Sequence, residues 1–130
     1  MKILRIQGKV VSGSGEGKRF TELAWVKKQI TEKLDFIPYP GTLNIKVTEP
    51  NFSLKNLSEK TKWMEISPAN DFCRGRLVKA RFMNNLECAI IIPEVKKYPK
   101  DIIELIAPIN LREKLKLEDG DVVELGIMLS

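Results

Sequence analysis

Two strand-like runs joined by an asparagine-containing turn constrain the fold of this 130-residue chain most strongly. Arg76–Phe82 and Glu87–Ile92 are both rich in apolar residues that alternate with other types, the pattern of a β-strand with a buried face. Between them, Met83–Leu86 contains two asparagines, and asparagine tolerates the positive φ that a tight hairpin turn requires. The pattern predicts an antiparallel hairpin.

Further strand-like runs extend this pattern over the whole chain. Two segments instead have helical spacing: Phe20–Asp35, and Asn110–Leu117, where Asn110 and Glu113 fit a capping box. A parallel α/β sheet would need more helices, so we predict a mainly β fold, a small closed β-barrel of six or seven strands with two short helices. The other predicted strands are Met1–Val11, Thr42–Val47, Trp63–Ile66, Ile102–Ile106 and Val122–Met128, and residues 48–60 are predicted to be a loop.

The composition excludes several classes of function. There is no histidine, which excludes Ser-His-Asp triads and nearly all zinc sites, so any metal would have oxygen ligands. No apolar run is long enough to span a membrane, and the first residues alternate rather than forming a signal peptide. The net charge is +5, from 22 cations interleaved with 17 carboxylates. This modest charge favours small phosphate-bearing ligands over DNA as the partner. Cys73 and Cys88 are predicted to be free thiols of a cytoplasmic protein.

The glycine-rich stretch SGSGEGKRF, Ser12–Phe20, has the composition of an anion-binding loop. It matches neither the P-loop nor the dinucleotide fingerprint, because Ser12 and Lys18 occupy positions where those motifs need glycine. Glycine still lets backbone N–H groups approach an anion, and Lys18 and Arg19 add positive charge. The stretch by itself leaves two interpretations open, a phosphate-binding loop and a plain connection between a strand and a helix.

A second stretch, PYPGTLNIKV at 38–47, contains two neutral oxygen donors on one face of a predicted strand. Thr42 and Asn44 are two residues apart, so their side chains point the same way. Such a pair suits Mg²⁺ if a nucleotide and water supply the remaining oxygen ligands. The alternative is that both are ordinary solvent-facing residues of a strand.

Taken together, these stretches resemble the archaeal CTP-dependent riboflavin kinase family. The resemblance covers nearly the whole chain and rests on four blocks in order: GKVVSGSGEGKRF, PYPGTLNIKV, CAIIIP, and DIIELIAPINLREKLKLEDGDVVEL. It implies a cradle-loop β-barrel that transfers the γ-phosphate of CTP to the 5′-hydroxyl of riboflavin, giving CDP and FMN. Some members carry an additional N-terminal DNA-binding domain. We expect a single kinase domain over 1–130 without that addition, and a monomer.

The resemblance also implies roles for individual residues. A divalent cation such as Mg²⁺ would be held by Thr42 and Asn44, and Glu104 would contact the flavin side chain and orient the attacking hydroxyl as a candidate catalytic group. Lys96 is also expected to bind the flavin, through the phosphate of the product, at a position where the family has a flavin-contacting threonine. The nucleotide would be bound by Ser14, Gly15, Glu16, Gly17, Lys18, Arg19, Ile109, Asn110, Leu111 and Arg112.

Two other classes of function compete with a kinase. Small barrels also occur as DNA-binding regulators, and the cations between Arg74 and Arg81 could contact nucleic acid. A flavin-binding barrel without catalysis would bind FMN but would not need Thr42 or Asn44. A DNA-binding barrel has no need of a glycine-rich loop paired with GTLN, so we expect no nucleic-acid partner.

Overall fold

The computed structural model of the protein describes residues 2–13, 16–50, 52–53, 56–57, 59, 61, 63–67, 74–83, 85–94 and 101–129. Within these ranges no helix has both the length and the apolar character needed to cross a membrane. The strands with defined ends are β1 (Lys2–Val11), β2 (Leu43–Val47), β3 (Met64–Ile66), β4 (Gly75–Phe82), β5 (Leu86–Pro93), β6 (Ile102–Ile106) and β7 (Val122–Leu129). The helices are α1 (Glu16–Glu22), α2 (Ala24–Leu34) and α3 (Leu111–Lys114).

The strands close into a barrel. Six of them follow one another as β4-β5-β6-β2-β1-β7, each neighbouring pair is antiparallel, and β7 pairs back with β4. The last three residues of β4, Ala80–Phe82, make the closing contact with β7, while its first three, Gly75–Leu77, pair with β3. The predicted closed β-barrel is therefore confirmed.

An apolar core fills the barrel because side chains alternate along each strand. On β7, Val123, Leu125 and Ile127 all point inward, where they belong to the same buried cluster as Phe82 of β4. Complete burial of one such side chain contributes roughly 1.5–3 kcal/mol. The rest of this cluster is Ile6, Val10, Leu43, Ile45, Val47, Leu57, Val78, Ala80, Cys88, Ile90, Ile103, Leu105, Ala107 and Leu111.

A second core lies between α2 and the outside of the barrel. Val26, Ile30 and Leu34 are spaced four residues apart, so they form one buried stripe along α2. This spacing confirms that the segment is an amphipathic helix, as its sequence pattern predicts. The strands contribute Ile66, Leu77, Ala89, Ile91 and Ile106 to this second core.

The helical segment after β1 begins earlier than its sequence predicts and is interrupted. The prediction was one helix over Phe20–Asp35, whereas α1 begins at Glu16 and Leu23 has an extended backbone, with ψ at 130°. The carbonyl of Leu23 accepts the N–H groups of Val26 and Lys27, both at 3.0 Å, and so starts α2. The partly buried Leu23 side chain packs against the second core at this break.

The predicted loop over residues 48–60 is wrong in part, because Asn56 and Leu57 are helical. The Ser53 hydroxyl accepts the Asn56 N–H at 3.1 Å, and the Leu57 N–H reaches the Ser53 carbonyl at 3.0 Å. Serine is a favoured helix N-cap, and Leu57 is buried in the barrel core. A capped turn carrying one apolar anchor is too short for a periodicity search to detect.

The predicted hairpin between β4 and β5 is confirmed. The two strands pair from Gly75 opposite Pro93 to Phe82 opposite Leu86. Met83, in the turn, has a φ of +52°. Asn84, which the sequence places in the turn, lies outside the described residues.

Candidate active site

A cavity of about 300 Å³ lies where three segments of the described chain meet. The segments are the end of β1, the approach to β2, and the chain from the end of β6 into α3. Ligand pockets commonly measure about 300–1,000 Å³, so the cavity is in the size range of small-molecule sites. Its wall consists of Val11, Ser12, Tyr39, Pro40, Gly41, Thr42, Leu43, Asn44, Leu105, Ala107, Ile109, Asn110, Leu111 and Arg112.

Hydrogen bonding around β2 brings these segments together. β2 lies between β1 and β6, and Asn44 is directly opposite the last residue of β1 on one side and Glu104 on the other. The Tyr39 N–H donates to the Ala107 carbonyl at 2.7 Å, which ties the segment before β2 to the end of β6. Gly41 has a φ of +104°, which favours glycine and lets the chain turn into β2.

The site contains a buried carboxylate, Glu104, only 2% exposed. Its neighbours Ile103 and Leu105 belong to the barrel core, so Glu104 faces the other side of the strand. Thr42 Oγ1 donates to Glu104 Oε2 at 3.0 Å. Because a hydroxyl has one proton, this bond leaves the lone pairs of the Thr42 oxygen to face other groups.

Asn44 carries a buried amide oxygen that has no hydrogen-bond partner among the described residues. A buried acceptor left unpaired costs about 1–3 kcal/mol, so this oxygen is available to a ligand or an ordered water. The backbone of Gly13 lies directly against this amide, since a Cβ at position 13 would be 2.3 Å from Asn44 Oδ1. Glycine at this position therefore allows the Asn44 amide to occupy its place.

The oxygens of Thr42 and Asn44 fit a divalent cation. Both residues line the cavity, and hydroxyl and amide oxygens are hard ligands of the kind Mg²⁺ accepts. In the described ranges, no three histidine, cysteine, aspartate or glutamate side chains cluster closely enough to hold a metal ion. Two neutral ligands do not fill the coordination sphere of Mg²⁺ or balance its charge. Water and ligand phosphates would have to complete the coordination.

The opposite wall of the cavity is the start of α3. Asn110 caps this helix by accepting the Glu113 N–H on its side-chain oxygen at 3.1 Å, which confirms the predicted cap. Leu111, the first residue of α3, is buried in the barrel core, and this contact holds the start of the helix against the barrel. Ile109 and Arg112 lie on either side of Leu111 in the sequence. The cap and the core contact of Leu111 together fix the part of the wall that carries the Arg112 guanidinium.

An acidic side chain, Asp119, contacts two residues of the cavity wall. The Arg112 guanidinium donates to Asp119 Oδ1, and the Ser12 hydroxyl donates to Asp119 Oδ2 at 2.9 Å. These bonds, with the Arg112 bond the larger influence, lower the pKa of Asp119 below its ordinary value of 3.8. Asp119 is therefore ionised at neutral pH, and it offsets part of the charge that Arg112 brings to the cavity.

The structure brings together many of the residues predicted to bind a nucleotide and a metal. Thr42, Asn44 and every residue of Ile109–Arg112 line the same cavity. Glu104 adjoins it through its hydrogen bond with Thr42. These residues come from three separate parts of the sequence, so their meeting depends on the closed barrel.

Other predicted site residues are not on this wall or cannot be placed. Ser14, Gly15 and Lys96 lie outside the described residues. Glu16–Arg19 form the first residues of α1 rather than a loop. Both cations of that range are exposed, and neither is among the described residues on the cavity wall. Nucleotide contacts by this segment stay a prediction.

Sequence reasoning missed several residues of the site. Tyr39 and Gly41 lie in the PYPGTLN stretch, and a glycine directly before two oxygen donors could have indicated a special turn. Gly13 lies in the glycine-rich stretch, whose pattern gives it no individual role. Asp119 carries little local signal, because its partner Ser12 is 107 positions away in sequence.

Comparison with known proteins agrees with this geometry. The model of the CTP-dependent riboflavin kinase domain, described as a domain of unknown function (DUF120), matches residues 10–127. A riboflavin kinase of Methanosarcina barkeri is 42% identical over 127 residues, which cover 95% of this chain and 56% of the relative. Riboflavin kinases of Archaeoglobus fulgidus and Pyrobaculum islandicum are 38% and 40% identical, cover 97% of this chain, and are themselves covered to 55% and 61%.

These relatives are longer than the sequence compared with them. The chain spans between about half and three-fifths of their length. The range matched by the family model, residues 10–127, includes every described residue on the cavity wall. The chain therefore belongs to the CTP-dependent riboflavin kinase family.

Proposed function

We propose that this protein is a kinase that transfers the γ-phosphate of CTP to the 5′-hydroxyl of riboflavin. In this reaction the bond between the γ-phosphorus and its bridging oxygen breaks and a bond to the ribityl oxygen forms. The products are CDP, FMN and the proton of the ribityl hydroxyl. The observation that carries the proposal is one cavity lined by Thr42, Asn44 and Ile109–Arg112. Phosphoryl transfer depends mainly on positioning and charge neutralisation, which these residues can supply.

The nucleotide end of the reaction is assigned to the α3 side of the cavity. Arg112 brings a guanidinium to the wall, and guanidinium N–H groups match phosphate oxygens well. Ile109 is partly exposed beside it and offers an apolar surface to a base or ribose. The cationic segment Ser14–Arg19 would add to phosphate binding, as the family resemblance implies.

The metal end is assigned to Thr42 and Asn44. The unpaired Asn44 oxygen and the Thr42 lone pairs support this assignment. A divalent cation held there would neutralise phosphate charge during transfer. Glu104 would keep accepting its observed hydrogen bond from the Thr42 hydroxyl. This bond would turn the lone pairs of the threonine oxygen toward the cation.

Glu104 is also the residue that we assign to the riboflavin hydroxyls. A carboxylate has two oxygens and about four lone-pair positions, so it can accept from several donors at once. A ribityl hydroxyl that donates to Glu104 would be held beside the metal ligands. Because phosphoryl transfer has a loose transition state, orientation of this hydroxyl contributes more than removal of its proton.

A turnover assay tests this function. Riboflavin and Mg²⁺ are incubated with CTP, ATP, GTP or UTP separately, and FMN is measured by chromatography. We expect FMN chiefly with CTP and a loss of about 10–100-fold or more in Asn44→Ala. Lys46→Ala is the matched control, because Lys46 follows on the same face of β2 but is exposed and away from the cavity wall.

Other results would change the assignment in specific ways. FMN formed mainly with ATP would retain the metal site and reject the nucleotide preference. Binding of FMN without turnover would favour a flavin-binding barrel. DNA binding with steep salt dependence would favour the regulator class, although Arg74 and Arg76 already form ion pairs with Glu65 and Glu94, at 3.5 and 3.4 Å.

A further inference from the structure

Asp119 joins two sides of the cavity that are far apart in sequence. One carboxylate oxygen accepts from Arg112 on α3, and the other accepts from Ser12 just after β1, at 2.9 Å. Ser12 and Arg112 both line the cavity, whereas Asp119 itself does not. Asp119 therefore reaches the cavity only through these two wall residues.

The turn that carries Asp119 is held firmly by hydrogen bonds. The Gly120 N–H donates to the Val10 carbonyl at 2.8 Å, and the Val10 N–H donates to the Asp121 carbonyl at 2.9 Å. The Asp121 side chain accepts the Glu118 N–H at 2.8 Å. Gly120 has a φ of +95°, a conformation that favours glycine. The carboxylate of Asp119 is thus presented from a defined position next to β1.

The ion pair between Asp119 and Arg112 is too exposed to contribute much to the stability of the fold. Their side chains are 55% and 43% exposed, and exposed ion pairs contribute little to folding. What the contact does is restrict the Arg112 side chain, which otherwise has several rotatable bonds. A guanidinium has five N–H donors in a rigid fork, so bonding to Asp119 leaves other donors for an anion in the cavity.

We propose that Asp119 is a positioning residue for nucleotide binding, which orients Arg112 and Ser12 at the cavity. The inference rests on the proposed kinase function. Arg112 then meets the phosphates of CTP with its orientation already fixed, which lowers the entropy that binding must overcome. The Ser12 hydroxyl, having donated its proton to Asp119, presents its oxygen to a donor such as a ribose hydroxyl.

The test compares Asp119→Ala with Glu118→Ala, its neighbour in the same turn. Both variants remove one carboxylate from the same turn. The Asp119 carboxylate contacts two residues of the cavity wall, and the control variant leaves those two contacts in place. We expect Asp119→Ala to raise the KM for CTP about three- to fivefold, the size of effect given by exposed ion pairs. The KM for riboflavin, kcat and the thermal unfolding midpoint should match the wild type, as all parameters should in Glu118→Ala.

A double-mutant cycle with Arg112→Ala tests whether Asp119 acts through the arginine. We expect the rise in KM caused by Asp119→Ala to shrink to less than about twofold when Arg112 is already absent. An unchanged or lowered KM in Asp119→Ala would overturn the positioning role, and an equal rise in both backgrounds would overturn the positioning of Arg112. Failure of the wild type to bind CTP or form FMN would instead overturn the proposed function, and this inference with it.

Discussion

The smallest feature on which the site depends is the contact between Gly13 and Asn44. Any Cβ at position 13 would overlap the Asn44 amide, which is buried and lacks a partner for its oxygen among the described residues. We therefore expect Gly13→Ala to displace the amide and lower kcat/KM for FMN formation by about 10–100-fold. Gly13 is exposed, so the thermal unfolding midpoint should change little.

The control for this prediction is the same substitution made in an Asn44→Ala background. With the amide gone, Gly13→Ala has little left to displace and should cause little further loss. A full additional loss in that background would mean that Gly13 acts through the nucleotide rather than through Asn44. Steady-state kinetics of the three variants distinguishes the two explanations.

The hydrogen bond from Thr42 to Glu104 gives a second prediction at this scale. Thr42→Val keeps the shape but removes both the donor to a buried carboxylate and an oxygen available to a cation. We expect kcat/KM to fall about 10–100-fold and the Mg²⁺ concentration for half-maximal rate to rise. Thr42→Ser keeps the hydroxyl and should retain most activity. Equal activity of the two variants would contradict the role of the oxygen.

Sequence reasoning reached these residues only to a limited extent. Thr42 and Asn44 were identifiable because two donors at i and i+2 share a face of a strand. The bond to Glu104 was not, because Glu104 is 62 positions away from Thr42 in the chain and reaches it only through the pairing of β6 with β2. Contacts within one element follow from local pattern, whereas contacts between elements require the topology.

Among the elements, α3 links folding to the site most directly. Asn110 caps it, and Asn110→Ala should destabilise the cap by about 1 kcal/mol. Because Asn110 and Arg112 both line the cavity, the same change should raise the KM for CTP. Asn110→Ser restores a good capping residue, so it should recover the unfolding midpoint measured by circular dichroism.

If Asn110→Ser recovers stability without recovering the KM, Asn110 contacts the nucleotide directly in addition to capping. If it recovers both, the cap alone accounts for the effect. An Asn110→Ala variant with unchanged stability and unchanged KM would contradict the role of the cap. These outcomes distinguish the effect of helix stability on nucleotide binding from a direct contact between the Asn110 side chain and the nucleotide.

The elements also mark where local rules failed. Glycine is disfavoured in helix interiors, so a glycine-rich stretch predicts a loop up to Phe20, yet α1 begins at Glu16. The partly buried Leu23 lies at the break between α1 and α2, where a periodicity count predicts no interruption. Short helices that pack on a sheet depend on tertiary contacts more than on propensity.

At the scale of the whole molecule, closure of the barrel accounts for both the core and the site. β2 is held between β1 and β6, and this arrangement places Asn44 opposite Glu104 and beside Gly13. The same closure buries the thiol of Cys88 inside the barrel. A probe of that thiol therefore reports on opening of the structure that forms the site.

Cys88 gives a prediction about this opening. Burial, offset in part by Arg81 and reinforced by Glu87, raises the pKa of its thiol from 9.0 to about 12. Three pKa units correspond to roughly 10³-fold less thiolate at pH 8, and the thiolate is the form that reacts. In a Cys73→Ser background, which leaves one cysteine, iodoacetamide should modify the native protein far more slowly than the protein in denaturant.

The same shift predicts how stability changes at alkaline pH. The unfolded thiol ionises near pH 9, while the folded thiol stays protonated until about pH 12. Stability from this group is therefore fully present below pH 9 and is lost as pH rises toward 12, because the unfolded state loses its proton first. Denaturant titrations of Cys73→Ser and of Cys73→Ser with Cys88→Ala should show a steeper decline over this range in the variant that keeps Cys88. Parallel declines, or rapid modification of the native thiol at pH 8, would mean that the barrel opens locally around β5 without global unfolding.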